Sequence, residues 1–145
     1  MAPPRILVVD DTPEVRSLVC RILEICDYEV LEAPDGPAAI AVCQNLGGKI
    51  DLLLTDVKMP GMDGVELARN VTAFYPSVRV LYISGQCDAE ELQPQVSRKG
   101  YGFLSKPFAP QLLIEAVEQM LTQSKGAAQA ATHAQQASAA DKKRA

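Results

Sequence analysis

Five short apolar runs alternate with five amphipathic stretches along the first 123 residues of the chain. The runs are Arg5–Asp10, Tyr28–Ala33, Asp51–Asp56, Val78–Ile83 and Tyr101–Leu104. Their length and their content of branched apolar residues are typical of strands that are buried on both faces. Strands that alternate with helices predict a parallel sheet covered on both sides and joined by right-handed crossovers.

The stretches between the runs repeat apolar residues every three or four positions, which predicts helices with one buried face. Thr12 and Pro13 are interpreted as the N-cap and first residue of the first helix. The second helix opens at Asp35, and the third covers Val65 to about Tyr75. In the first helix the expected inner-face residues are Val15, Leu18, Val19, Ile22, Leu23 and Cys26. In the second they are Ala39, Ile40, Cys43 and Leu46, and in the fifth they are Leu112, Leu113, Ala116, Val117, Met120 and Leu121.

From Asp88 onward the sequence predicts two helices and then a polar tail. A segment from Asp88 to about Val96 is expected to be a helix that is short or kinked, because Pro94 lies inside it. The final helix covers Pro110 to about Gln123. Residues 126–145 are mostly Ala, Gln and Ser with a basic end, and they have no apolar stripe to bury. We therefore expect one domain over residues 4–123, followed by a tail or linker that is disordered.

Composition indicates the cellular compartment and excludes some classes of partner, but it does not indicate a reaction. The 145 residues carry a formal net charge of −4, so bulk electrostatics gives no reason to expect nucleic-acid binding. No apolar run approaches the length of a membrane span, and no signal-peptide pattern is present. The four cysteines show no paired spacing and are interpreted as free thiols of a reducing, cytoplasmic compartment. They are Cys20, Cys26, Cys43 and Cys87.

Polar side chains follow four of the five predicted strands at the point where each ends. Asp10 and Asp11 follow the first strand, Asp56 ends the third, Ser84 follows the fourth and Lys106 the fifth. Because parallel strands share one polarity, these groups should meet at one edge of the sheet, where open α/β sheets bind ligands. The second strand delivers nothing comparable. The sequence therefore predicts one site centred on the first, third and fourth strands.

Three carboxylates at one place repel one another and need a cation to stay ionised. Oxygen ligands without histidine or cysteine favour Mg²⁺, which leaves coordination positions open for a phosphate. Asp56 would then be a carboxylate nucleophile toward a phosphoryl group. Taken alone, Asp10 and Asp11 could be an acidic pair at a helix N-terminus. Asp63 is interpreted as a helix cap and Tyr82 as a core residue. The joint arrival at one edge is what favours a site.

The chain strongly resembles the receiver domain of bacterial two-component response regulators over about residues 4–123. The matching segments are Val8–Asp11, Asp56–Gly64, Ser84–Gly85 and Lys106–Phe108, in the family's order and near its spacing. The resemblance implies a flavodoxin-like (βα)5 sandwich with a parallel five-stranded sheet of order 2-1-3-4-5. It also implies a signalling phosphoacceptor rather than an enzyme.

The resemblance assigns roles to individual residues. Asp56 would take phosphate from a histidine kinase or phosphotransfer protein. Mg²⁺, or Mn²⁺ in its place, would be held by Asp11, Asp56 and the Lys58 backbone carbonyl, with Asp10 ordering the metal's waters. The phosphate-binding and switch positions would be Ser84, Gly85, Lys106 and Phe103. The structural positions would be Pro107, preceded by a cis bond, together with Pro60 and Gly64. Output would pass to a downstream protein through the fourth helix, fifth strand and fifth helix.

Several alternatives stay open at this point. The chain could be a single-domain regulator or a receiver that belongs to a longer hybrid kinase. A rival reading is an Mg²⁺-dependent phosphatase that works through an aspartyl-phosphate, although such enzymes place their acids two residues apart after the first strand. A degenerate receiver that acts only as a binding module is a third. Lys58, a cation two residues after Asp56, is predicted to alter the decay of the acyl-phosphate.

Overall fold

The structure is a computed structural model that describes residues 2–85, 92–96 and 100–122. Five strands and five helices alternate along these residues. The strands are β1 (Arg5–Val9), β2 (Glu29–Ala33), β3 (Leu52–Asp56), β4 (Arg79–Gly85) and β5 (Tyr101–Lys106). The helices are α1 (Pro13–Ile25), α2 (Gly36–Asn45), α3 (Gly64–Phe74), α4 (Gln93–Val96) and α5 (Pro110–Thr122).

All five strands form one parallel sheet of order β2-β1-β3-β4-β5. The strand order reverses between β1 and β3, and the carboxyl ends of these two strands lie side by side. Val9 pairs with Thr55 across them, and Asp56 pairs with Ile83 of β4. This arrangement confirms the predicted fold class, and it creates the crevice in which ligands of such sheets bind.

Alternate residues of each central strand enter two separate apolar layers. Leu7, Leu53 and Val80 belong to the layer beneath α2 and α3. Ile6 and Leu54 belong to the layer beneath α1 and α5. A sheet covered on both faces explains why β3 is buried along its whole length, including the carboxylate that ends it.

Two inner-face assignments were wrong. Leu18 of α1 is 56% exposed and Leu112 of α5 is 51% exposed. In α1 the buried residues are Val19, Cys20 and Leu23, and at about 100° per residue Leu18 lies far around the helix from Cys20. The apolar stripe is therefore rotated toward Cys20, and Leu18 falls outside it.

The elements after β3 differ in detail from the prediction. β4 continues to Gly85 and β5 to Lys106, so the polar groups at 84 and 106 are strand residues rather than loop residues. Pro94 lies in the first turn of α4, where a missing backbone donor breaks no helical hydrogen bond. The earlier part of the predicted fourth helix, Cys87, and the tail from residue 123 lie outside the described residues.

Candidate functional site

Asp56 ends β3 as a buried carboxylate, with 8% of its surface exposed. Its Oδ1 accepts a 2.8 Å hydrogen bond from the Val57 amide, which also donates to the Ile83 carbonyl at 3.2 Å. Burial raises the pKa of the Asp56 carboxyl above its ordinary value; nearby Lys106 lowers it, and nearby Asp10 raises it. The carboxylate is therefore held in place while its charge is only partly compensated.

Asp10 and Asp11 follow β1 and lie beside Asp56, as the sequence predicts. One carboxylate oxygen from each of the three side chains lies within 4.8 Å of the others. Asp10 is buried, whereas Asp11 is exposed. Asp10 Oδ1 accepts a 2.9 Å hydrogen bond from the Thr12 amide. Thr12 is the N-cap of α1 and Pro13 its first residue, as predicted, although the Thr12 side chain makes no cap hydrogen bond.

Lys106 supplies the cation that links two of the acids. Its Nζ lies 3.2 Å from Asp56 Oδ2 and 3.5 Å from Asp10 Oδ2. The lysine ends β5, two strands away from Asp56, and the peptide bond to Pro107 is cis, the form that the resemblance implies. One ammonium group thus bridges the ends of β1 and β3 across the end of β4.

The remaining switch positions lie on β4 and β5. Ser84 is buried (1% exposed) and follows Ile83, the strand partner of Asp56. Gly85 pairs with Lys106, and Phe103 pairs with Tyr82. Phe103 is half-buried against the layer beneath α2 and α3, and Tyr82 is a fully buried core residue, as predicted. The binding and switching roles of Ser84, Gly85 and Phe103 stay predictions.

The turn after Asp56 returns the chain tightly to α3. Gly64 donates its amide to the Val57 carbonyl at 2.9 Å, and a Cβ at Gly64 would overlap the carbonyl oxygen of Asp56. Asp63 is the N-cap of α3, with Oδ1 accepting from the Glu66 amide at 2.8 Å, which confirms its interpretation as a cap. Close approach at this point explains why a residue without a side chain occupies position 64.

The turn alternates between buried and surface residues, and Met59 within it is buried. Pro60 and Lys58 are exposed, and Gly61 has a φ of +76°, a backbone conformation that favours glycine. The structural role of Pro60 and the metal-binding role of the Lys58 carbonyl stay predictions.

Sequence reasoning missed Arg16 and Glu32. The Arg16 guanidinium donates to the Asp10 backbone carbonyl at 2.7 Å and to Glu32 Oε1 at 2.9 Å. Glu32 lies on β2, the strand that the sequence left without a part in the site. The pair could be found only from the register, which places Glu32 beside Val8 of β1.

The acidic cluster suits a hard divalent cation. Asp10, Asp11 and Asp56 offer carboxylate oxygens close enough together to share one ion, and one acid remains exposed to solvent for entry. Mg²⁺ typically takes one or two carboxylates and keeps several waters, which this mixture of buried and exposed acids allows. The residues present therefore fit the ion.

The fold and this cluster define a flavodoxin-like α/β protein with an acidic site and a lysine at the carboxyl edge of its sheet. The family model for the response regulator receiver domain matches residues 6–118. The chain therefore belongs to the response regulator receiver domain family, as the resemblance indicated. Members of this family are signalling modules that act in two-component systems and bind Mg²⁺ at an aspartate cluster.

Individual relatives agree with this assignment. The response regulator receiver protein CpdR of Brucella abortus is 36% identical over 118 residues, which cover 81% of this chain and 96% of CpdR. The sensor kinase CckA of the same organism is 34% identical over 116 residues, and the chain spans only 12% of that kinase.

Solved structures show the same likeness. The receiver domain of the hybrid histidine kinase CckA is 39% identical, with a TM-score of 0.69 over 81% of this chain and 98% of that one. The receiver domain of NtrX from Brucella abortus is 32% identical, with a TM-score of 0.75 over 82% and 99%. Among the residues that the structure describes, no helix is long and apolar enough to cross a membrane.

Proposed function

We propose that Asp56 accepts a phosphoryl group from a phosphohistidine of a histidine kinase or phosphotransfer protein, in a reaction that depends on Mg²⁺. The observation that carries this proposal is the position of the Lys106 ammonium, within 3.5 Å of both Asp56 and Asp10 in a cluster of three carboxylates. The Lys106 ammonium can give up its contacts with these acids and bind the oxygens of an incoming phosphoryl group instead.

The chain's own groups account for the chemical step. An oxygen of the ionised Asp56 carboxylate attacks the phosphorus, the bond from phosphorus to the histidine nitrogen breaks, and its electron pair stays on that nitrogen. The 2.8 Å hydrogen bond from Val57 to Oδ1 fixes one carboxylate oxygen, so that Oδ2, the oxygen facing Lys106, is the candidate nucleophile. Lys106 then transfers its contact from the carboxylate to the oxygens of the phosphoryl group.

Asp11, Asp56 and the Lys58 carbonyl would hold the metal ion, and Asp10 would order the metal's waters. When bound, Mg²⁺ neutralises charge that develops on the transferred phosphoryl group. Ser84 would donate its hydroxyl hydrogen to a phosphoryl oxygen, since it lies beside the strand partner of Asp56.

The phosphoryl group adds about −1.5 to −2 charges and three acceptor oxygens at the ends of β3 and β4. We propose that Ser84 and Gly85 shift toward it, that Phe103 follows, and that a surface of α4, β5 and α5 changes its population of two states. A downstream protein would bind that surface. We further propose that the protein acts in the cytoplasm. Residues 4–123 would form the receiver domain.

The proposal is tested by adding beryllofluoride, a mimic of the phosphoryl group, with and without Mg²⁺, to the full chain. We expect amide NMR shifts around Asp56, Ser84 and Lys106 that need the metal and vanish in Asp56→Asn. Shifts that persist in Asp56→Asn would contradict the assignment. Absence of any response would favour the degenerate binding module, and steady hydrolysis of many phosphate esters would favour the phosphatase.

A further inference from the structure

Among the described residues outside the predicted site, Arg16 donates a side-chain hydrogen bond to the backbone between Asp10 and Asp11, the two acids that follow β1. Its Nη1 lies 2.7 Å from the Asp10 carbonyl oxygen, and its Nε lies 2.9 Å from Glu32 Oε1. The Arg16 side chain is only 17% exposed, while that of Glu32 is 53% exposed. A planar guanidinium donates in fixed directions, so two partners, one just after β1 and one on β2, hold it in one orientation.

The carbonyl that Arg16 holds belongs to the peptide plane that joins Asp10 to Asp11. A peptide unit is planar and rigid, so a hydrogen bond that holds its oxygen restricts ψ of Asp10 and φ of Asp11. Those two rotations set the direction in which the Asp10 and Asp11 side chains leave the chain. Arg16 therefore restrains the peptide plane between the two acids, and in the observed hydrogen bonds it contacts neither carboxylate.

The other polar atoms of Asp10 have separate partners. Its amide donates to the Ala33 carbonyl at 3.4 Å, its Oδ1 accepts from Thr12, and its Oδ2 faces Lys106. The carbonyl is the remaining backbone group, and Arg16 satisfies it. Without Arg16, the turn from β1 into α1 would keep the Asp10–Ala33 hydrogen bond to β2 but would lose the second link, which runs through Arg16 to Glu32.

We infer that Arg16, oriented by Glu32, is a positioning residue that presets the Asp10–Asp11 pair for Mg²⁺. This inference rests on the proposed metal-dependent function. Residues that orient metal ligands typically change metal affinity by about 10- to 100-fold when they are replaced. β2 thus takes part in the site through Glu32, which the sequence did not predict.

The sign of the effect separates positioning from simple electrostatics. Replacing Arg16 by glutamine removes a positive charge near the acidic cluster. If charge alone mattered, Mg²⁺ would bind more tightly, because repulsion of the ion would fall. If Arg16 positions the acids, Mg²⁺ binds more weakly despite that gain. Arg21, an exposed arginine of the same helix, gives the matched control for the change in net charge.

The experiment measures Mg²⁺ affinity of the full chain by NMR titration for wild type, Arg16→Gln, Arg16→Lys and Arg21→Gln. We expect affinity to fall about 10-fold in Arg16→Gln and to fall also in Arg16→Lys, where the charge is kept but two fixed donors are lost. Arg21→Gln should match wild type. Unchanged or tighter binding in both Arg16 variants would overturn the inference.

A metal-free measurement accompanies the titration. Hydrogen exchange at the Thr12 amide, which donates to Asp10 Oδ1, should quicken in the Arg16 variants while amides of central β3 keep their protection. Equal quickening throughout would show a general loss of stability and overturn the inference. If Arg16→Gln does not fold, Arg16→Lys and Glu32→Gln decide by the same criteria. Failure of wild type to bind Mg²⁺ would instead contradict the proposed function.

Discussion

Replacing Lys106 by methionine would remove the only cation seen to bridge two of the site's acids in the described part of the chain. With an effective dielectric constant of about 20, an ammonium at 3.2 Å from Asp56 and 3.5 Å from Asp10 attracts each by about 5 kcal/mol. The lysine side chain is 28% exposed, so solvent screening and the cost of dehydrating the ammonium offset much of this attraction.

The net loss can be bounded from comparable cases. Breaking a buried ion pair costs about 3–5 kcal/mol because the other charge is left unpaired, and partial exposure reduces this to about 2–3 kcal/mol for Lys106→Met. A domain of this size loses about 4 °C in Tm per kcal/mol, so we expect a fall of about 10 °C near neutral pH without metal. Lys49→Met, at an exposed lysine, should stay within about 0.5 kcal/mol of wild type.

The loss should depend on pH in a definite direction. Burial already raises the pKa of Asp56 above its ordinary 3.8, and removing Lys106 removes an influence that lowers it. The folded variant therefore holds the Asp56 proton more tightly than the unfolded chain does. Stability gained from that proton is complete below the unfolded-state pKa and is lost as pH rises through the folded-state pKa. The deficit of Lys106→Met should be largest at neutral pH and shrink as pH falls toward 3.8.

The assay is urea unfolding followed by circular dichroism at several pH values, with and without Mg²⁺. Saturating Mg²⁺ should also reduce the deficit, because the metal replaces the missing positive charge. A deficit of the same size at every pH and Mg²⁺ concentration would refute the reasoning, since it would show that Lys106 contributes packing rather than charge.

Three other substitutions, with Gly85→Ala as a control, test separate parts of the site. Gly64→Ala should destabilise the fold by about 1–3 kcal/mol because its Cβ meets the Asp56 carbonyl, whereas Gly85→Ala, with open space at its Cβ, should be nearly neutral in thermal unfolding. Asp63→Ala should cost about 1 kcal/mol as a lost cap, with the rate of Asp56 phosphorylation unchanged; a large fall in that rate would contradict the cap assignment. Lys58→Ala should change the decay rate of the acyl-phosphate, measured as the loss of a phosphoryl label from Asp56. A decay rate identical to that of wild type would contradict the proposed influence of Lys58.

The placement of the site could be predicted because it follows from the common direction of the parallel strands. Once the apolar runs are parallel strands, Asp10, Asp56, Ser84 and Lys106 must reach one edge, whatever the details of the loops. The exposure of Leu18 could not be predicted in the same way. Several neighbouring apolar residues can define a helix face, and only packing on the sheet decides how far the helix is rotated.

Arg16 and Glu32 show a second limit. An arginine in a helix and a glutamate in a strand are ordinary solvated residues in a sequence, and each is uninformative without its partner. Their meeting depends on the register of β2 against β1 and on the angle of α1 over the sheet. Contacts of that kind are long-range, so periodicity and motif spacing carry no information about them.

Asp56 is proposed above all as the phosphoacceptor of an Mg²⁺-dependent reaction. The most direct measurement incubates the full chain with acetyl phosphate, traps the acyl-phosphate by borohydride reduction, and locates the modified residue by peptide mass spectrometry. Asp56→Asn is compared with Asp51→Asn, which changes an exposed acid just before the opposite end of β3. We predict modification at Asp56 that requires Mg²⁺, is absent in Asp56→Asn and persists in Asp51→Asn. Modification elsewhere, or modification of Asp56 that proceeds equally without Mg²⁺, would contradict the claim.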